Sequence, residues 1–429
     1  MNRNRVHHSI ASTALACCAI LSSHSVFAQF TQQGPKLVGT VAELNQQQGT
    51  AVALSADGNT AIVGGNSFYR INYGGGPPGG IGAAWVFTRN AGTWSQQGRK
   101  LVGSGASPED LQGTSVSLAA DGNTAVVGGP ADSRKGAAWV WTRQGGFWTQ
   151  QSKLVGSGAV NGNGVYGSGQ GFSVSVSSDG NTIVIGGPLD SSVGGAAWVW
   201  IRSAGSWTEQ GKLVASGALG KAAQGSSVSL SADGNTLIVG GSGDNNYNGA
   251  SWIWTRDAGT WTQVAKLVGS EDSSPFLYPE QGVSASIAAD GKTAIVGGRF
   301  GIAWVWIRNG GLWIQQGPAL IGSGAASLSS DGNTALIGTT IWTRSDGVWV
   351  KQPNGLTVSG ASGSAEQGYS AALSADGRTA IIGGPSDSND TGAAWVFVLD
   401  PASIPTRSWW TLMTLVIMLA LIGLARSRG

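Results

Sequence analysis

The residues that could do chemistry are defined first by what is missing. All three histidines (His7, His8, His24) and both cysteines (Cys17, Cys18) fall within the first 28 residues, where Arg3 and Arg5 precede an apolar stretch over 10–21 and a Val26-Phe27-Ala28 cleavage pattern. That arrangement predicts a secretory signal over 1–28. The remaining chain then has no Ser-His-Asp or Cys-His nucleophile system, no zinc site built on His or Cys, no haem-ligating His and no disulfide. Chemistry is left to carboxylates, Tyr, Lys and Arg. Two carboxylate sets recur: an Asp opening each Asp-Gly-(Asn/Lys/Arg)-Thr turn, and Asp132, Asp190 and Asp387, each following Gly-Gly-Pro and one further residue. The turn carboxylates have the spacing of a tight hairpin, with Asn and Thr placed to bond nearby backbone. Asp132, Asp190 and Asp387, with Asp244 in the equivalent loop, are candidates for contacting a cation or glycan hydroxyl, or for shaping their loops as Asx-turns. Paired Asp and Glu would also serve a glycosidase. Only six Glu stand outside the termini, however, and none recurs as a pair near an aromatic loop, so no catalytic residue, cofactor or metal is assigned.

Charge narrows the partners. Of 25 Lys and Arg, five arginines (Arg3, Arg5, Arg407, Arg426, Arg428) lie in the termini; the body over 29–403 keeps 20 basic against 23 acidic residues, a net of −3. A mildly acidic body argues against nucleic acid.

The elements that position these residues form an internal repeat. The Asp-Gly turn begins at Asp57, Asp121, Asp179, Asp233, Asp290, Asp331 and Asp376. Each copy reads as four strands: an alternating small-polar and apolar strand ending at the turn, a β-branched strand closing on a Gly pair, a Gly-Ala-Ala-Trp-Val-Trp strand, and a strand opening on Trp and ending in Lys-Leu-Val-Gly. The segment over 31–39 is a fourth strand with nothing ahead of it, whereas the last copy, 368–398, has three strands and no fourth. The two fragments complete one another and predict an all-β, seven-bladed β-propeller closed by the N-terminal strand joining the last blade.

These motifs resemble the FG-GAP repeat family, related to the integrin α propeller. The Phe-Gly position corresponds to Gly171-Phe172 and Gly368-Tyr369, and the Gly-Ala-Pro position to Gly-Gly-Pro at Gly128, Gly186 and Gly383. Such repeats often hold calcium between several spaced Asp; here the turn offers one carboxylate, too few oxygens for Ca²⁺.

Strand alternation sends the hairpins between strands one and two and between strands three and four to a uniform face, and the remaining connections to a variable one. The variable loops carry Phe68, Tyr69, Tyr73, Tyr166, Tyr247, Phe276 and Tyr278, the aromatic ligand-binding candidates. The arginines closing strand three (Arg89, Arg143, Arg202, Arg256, Arg308, Arg344) fall on the uniform face as solvated repeat positions. Tryptophans in strands three and four read as packing between blades. Blade six is trimmed on the variable side, which predicts a notch, either a ligand groove or repeat decay.

At the C-terminus, Ile404, Pro405, Thr406, Ser408 and Trp410 precede an apolar run over 412–425 and a basic end. This pattern resembles the IPTL-CTERM sorting tails, similar to PEP-CTERM tails. The resemblance implies a membrane-spanning helix over 409–425, an exosortase-type enzyme as partner and delivery from an inner-membrane precursor to the cell surface or extracellular matrix; a plain C-terminal anchor is the alternative. The functional expectation is a surface-sorted binding or adhesion module for glycan, matrix or protein, with a ligand-free structural spacer second and a carboxylate hydrolase or lyase third.

Overall fold

The computed structural model describes residues 29–40, 45–67, 80–106, 110–160, 167–191, 194–270 and 278–400. The chain divides into a unit over 30–398 and a second formed by 1–29 and 399–429. In the second, Gln29, Leu399 and Asp400 are described, and the Asp400 N–H donates to the Gln29 carbonyl at 3.0 Å. Both the signal segment and the sorting motif lie outside the described residues. No helix among the described residues is long and apolar enough to cross a membrane.

The larger unit is a seven-bladed β-propeller of antiparallel sheets. Blade three shows the pattern: Ser173–Val176, Thr182–Gly187, Ala196–Ser203 and Ser206–Leu213 pair in sequence order. Its second strand is buried along its whole length, because a mid-blade strand is covered on both faces by the neighbouring blades, and its composition is continuously apolar for that reason. First strands of successive blades adjoin one another and so surround the axis.

Blade seven is completed as the two orphan fragments predict. Phe30–Gln32 pairs onto Ala393–Leu399, followed by Thr379–Gly384 and Ser370–Leu373. The expected continuous fourth strand is interrupted here at Gly34-Pro35, as that of blade one is at Gly98-Arg99, each at a left-handed glycine (φ 77° and 74°), and pairing resumes where Leu37 and Ala394 exchange backbone bonds of 2.7 and 3.1 Å.

Blades pack through tryptophan. Trp85, Trp139, Trp198, Trp252, Trp304 and Trp395, the first indole of six third strands, are buried, and each Nε1 donates to a carbonyl of the preceding connector, as from Trp198 to Ser157 at 2.8 Å. A glycine makes room for the ring: a Cβ at Gly156 would lie 2.1 Å from Trp198 Cδ1.

On the uniform face the seven Asp-Gly turns are joined head to tail. Ala56 donates its N–H to the Ala120 carbonyl, Ala120 to Ser178, Ser178 to Ala232, Ala232 to Ala289, Ala289 to Ser330, Ser330 to Ala375, and Ala375 back to Ala56, at 2.9–3.1 Å. Within each turn the carboxylate is consumed locally. Asp57 accepts from Ser55 Oγ at 2.5 Å and from the Asn59 N–H and amide, both at 2.9 Å. Burial alone would raise the Asp57 pKa; these hydrogen bonds and the Arg89 charge outweigh it and hold the group below its ordinary value, with the same balance at Asp233 and Asp331.

Five of the six arginines on this face are not solvated, which corrects the sequence reading for them; Arg308 is exposed, as that reading expects. Arg89 Nε donates to Asn59 Oδ1 (2.9 Å), while its other nitrogens reach into blade seven, to Gln33 Oε1 (3.1 Å) and Thr379 Oγ1 (3.3 Å). Gln33 Oε1 also accepts from Trp94 Nε1 at 3.0 Å, and the guanidinium lies 5.4 Å from the Trp94 ring centroid. Arg143, Arg202, Arg256 and Arg344 repeat this latch. At blade five, Lys292 replaces the Asn and Val264 the Gln, and the Trp313 indole N–H is buried without a partner.

Candidate functional site

With the uniform face committed to ring closure, the opposite face holds the open chemistry. Its centre is a depression of about 780 Å³. The residue following the repeated glycine at the start of strand one comes to its wall from every blade: Thr50, Thr114, Phe172, Ser226, Val283, Ala325 and Tyr369. All of these glycines but Gly324 take left-handed backbone, as at Gly171 (φ 88°), and a Cβ there would lie 2.2 Å from the Ala137 carbonyl oxygen. The close approach of two blades thus fixes where the next side chain emerges.

Five positions in this ring carry small or modest side chains. The exceptions are Phe172 and Tyr369, 45% and 57% exposed. Phe300, from the short 299–301 loop of blade five, joins them at 58% exposure, with the Arg299 guanidinium 5.0 Å from its ring centroid. Arg299 is neutralised by Glu280 at 2.8 Å. The sequence reading treated Phe172 and Tyr369 only as repeat landmarks and overlooked Phe300. Their departure from the small residues at equivalent positions was the available signal.

Blade six forms the low side of the rim. Its second and third strands, Thr334–Ile337 and Thr340–Ser345, are joined through Gly338 and Thr339 alone, and the Gly338 N–H bonds the Ala325 carbonyl at 2.8 Å. Ser323, Gly324 and Ala325 line the depression where other blades raise a loop.

Of the predicted aromatic candidates, the structure brings two together. Tyr247, from the loop over 244–248, and Tyr278, from the connector leading to blade five, meet edge to face with centroids 6.3 Å apart; both are about half exposed (56% and 50%). With Asn246, Glu280 and Arg299 they bound an open recess of about 640 Å³. Arg299 lines both this recess and the central depression. Phe68, Tyr69, Tyr73, Tyr166 and Phe276 lie outside the described residues.

The acidic candidates are placed beneath the surface instead of on it. Asp132, Asp190 and Asp387 are buried, as is Asp244, and each carboxylate is held by a fourth-strand lysine of its own blade: Asp132 by Lys153 (2.7 Å), Asp190 by Lys212 (2.5 Å), Asp244 by Lys266 (2.7 Å) and Asp387 by Lys36 (2.5 Å). The second oxygen of Asp190 accepts the Val160 N–H, that of Asp244 the Leu219 N–H, and that of Asp387 the Ser362 N–H, each at 2.7 Å. Lys212 also donates to the Gly158 carbonyl and stands 5.3 Å from the centre of the Trp198 ring. These carboxylates tie the incoming connector to the loop beside it, a positioning role for the variable face. A buried acid with its charge so matched has no free valence for a ligand. Among the described residues, no three or more His, Cys, Asp or Glu gather to hold a metal ion.

Comparison with known proteins fits this geometry. The FG-GAP repeat model matches residues 207–253, which run from the fourth strand of blade three to the third strand of blade four. No curated protein matches the chain. Among solved structures, the crystal structure of a protein from Lactobacillus plantarum is similar over 72% of this chain and 85% of its own, with 14% identity and a TM-score of 0.52. At that identity the likeness speaks for the fold alone.

Proposed function

We propose that this protein is an exported, surface-sorted propeller that binds an extracellular ligand through its variable face and carries out no catalysis. The observation that carries this reading is the contrast between the faces. One spends its polar groups on closure, while the other gathers exposed Phe172, Phe300 and Tyr369 around a depression of about 780 Å³ and adds the Tyr247–Tyr278 pair beside it. Concave sites lined by aromatic side chains and a few polar groups are where proteins bind ligands. Export and sorting rest on the sequence patterns at 1–28 and 404–429, with an exosortase-type enzyme as partner for the tail.

The test is binding of the purified protein to a panel of glycans, matrix polymers and peptides. Saturable binding that weakens roughly tenfold or more in Tyr369→Ala or in Tyr247→Ala/Tyr278→Ala is expected, the size of loss given by aromatic anchors. Absence of binding across the panel at high concentration would instead support a ligand-free spacer.

A further inference from the structure

The central depression opens on one side into a smaller crevice of about 220 Å³, lined by Asn66, Leu111, Thr114, Pro130, Phe172 and Leu189, with Gly169 between the walls. Three of those positions are apolar here and mostly small or polar elsewhere in the repeat. Where Leu189 stands, blade two has Ala131 and blade seven Ser386; where Leu111 stands, other blades have Gln47, Gly169, Ala223, Glu280 and Glu366; Phe172 replaces the Thr or Ser of three other blades. Their convergence on one point is not explained by packing shared among the blades, because the other blades pack without them. Leu189 remains 43% exposed and Phe172 45%.

We infer that the mouth takes a segment of polypeptide, anchored by one large apolar side chain in the Leu111–Pro130–Phe172–Leu189 crevice. This rests on the reading of the variable face as the binding face and names the ligand class. An apolar cavity of about 150 Å³ accommodates a benzene ring, so the crevice has room for one Phe or Leu side chain. No charged side chain lines it, so the complementary anchor is uncharged. A sugar there would bring hydroxyls against Leu and Pro walls that offer few hydrogen bonds, losing about 1–3 kcal/mol for each one left unsatisfied. Peptide N–H and C=O groups beside the anchor would instead meet the side chains of Thr50, Ser226, Ser242, Ser323 and Gln367 around the mouth.

The experiment selects a phage-displayed random heptapeptide library on the full chain, then measures the winning sequence as a synthetic peptide by calorimetry, with cellohexaose and laminarihexaose alongside. The expected result is a fixed Phe, Leu or Trp in the selected peptides and binding weakened at least roughly tenfold by Leu189→Arg. That variant changes a half-exposed position, and an unaltered melting curve verifies its fold. Phe147→Ala, at a 79% exposed site on the outer edge of blade two, should leave binding unchanged. Peptide binding that ignores Leu189→Arg, or oligosaccharide binding lost in Tyr369→Ala without any peptide binding, overturns the inference while the binding reading stands. Silence from peptides and oligosaccharides together overturns both.

Discussion

The interface between blades three and four and that between blades six and seven are built from the same repeat but are tied very differently. At the first, Gln224 is buried, accepts the Ala215 N–H at 2.6 Å and returns a bond to the Ala215 carbonyl at 3.1 Å; Arg256 reaches Gln210 and Thr182; Ser173 donates to the Gly225 carbonyl and Ser175 accepts from Leu230. At the second, Leu399 occupies the arginine position, Arg378 the asparagine position and Phe30 the tryptophan position, while Gln367 lines the central depression. This seam closes without those side-chain ties. Leu336, Ile341, Leu356, Ala380, Ile382 and Trp395 pack across that seam without them. On its blade-one side the N-terminal strand does carry the tie, since Gln33 is held by Arg89 and Trp94.

The largest effect separating the seams should come from the buried glutamine. Gln224→Leu leaves two buried backbone groups unsatisfied and should cost roughly 2–4 kcal/mol, read as a lowered urea midpoint with unchanged slope. Gln367→Leu should stay within about 0.5 kcal/mol of the parent. Equal losses would mean that the seams do not differ in this tie. A smaller change should run the other way. Leu399→Arg with Arg378→Asn rebuilds the latch toward Gln352 and Thr334 and should add about 1 kcal/mol; no gain would show that the missing Trp at Phe30 is essential to it.

The smallest effect is acid sensitivity. Asp57, Asp179, Asp233 and Asp331 have folded-state pKa values below the ordinary carboxylate value. The unfolded chain therefore takes up their protons first. Their stabilising contribution is complete above about pH 4 and is lost as pH falls through the depressed values. Thermal scans between pH 6 and 2 should show the melting temperature falling at the acid end, and less steeply in Asp233→Asn. A pH-independent melting temperature would remove the turns from the account of stability.

The architecture was legible in the sequence because its signals are local and repeated: seven Asp-Gly turns set the blade number, and the orphan strand at 31–39 matched the vacancy after Val398. What escaped was paired chemistry between distant positions. Arg89 reads as solvated when taken alone; only the joint loss of Asn and Gln at Lys292 and Val264 marks it as one member of a set. Asp190 reads as a surface acid until Lys212 is placed beside it. The pairing was visible in composition, since blade five lacks both the loop Asp and the lysine, with Ala319 in the latter's place. The site was the least legible part. Phe172 and Tyr369 stand out only once the ring brings their equivalents around one axis, and Phe300 sits in a loop too short to attract notice.

The circle of backbone amides on the uniform face bears on how the chain could be threaded. Every member donates once and accepts once, so no peptide in it is a terminus, and all seven point the same way around. Such a loop of dipoles has no preferred starting member. A circular permutant whose new ends fall in any variable-face connector would keep the circle intact, and the present junction in blade seven is one of several equivalent places to cut the thread.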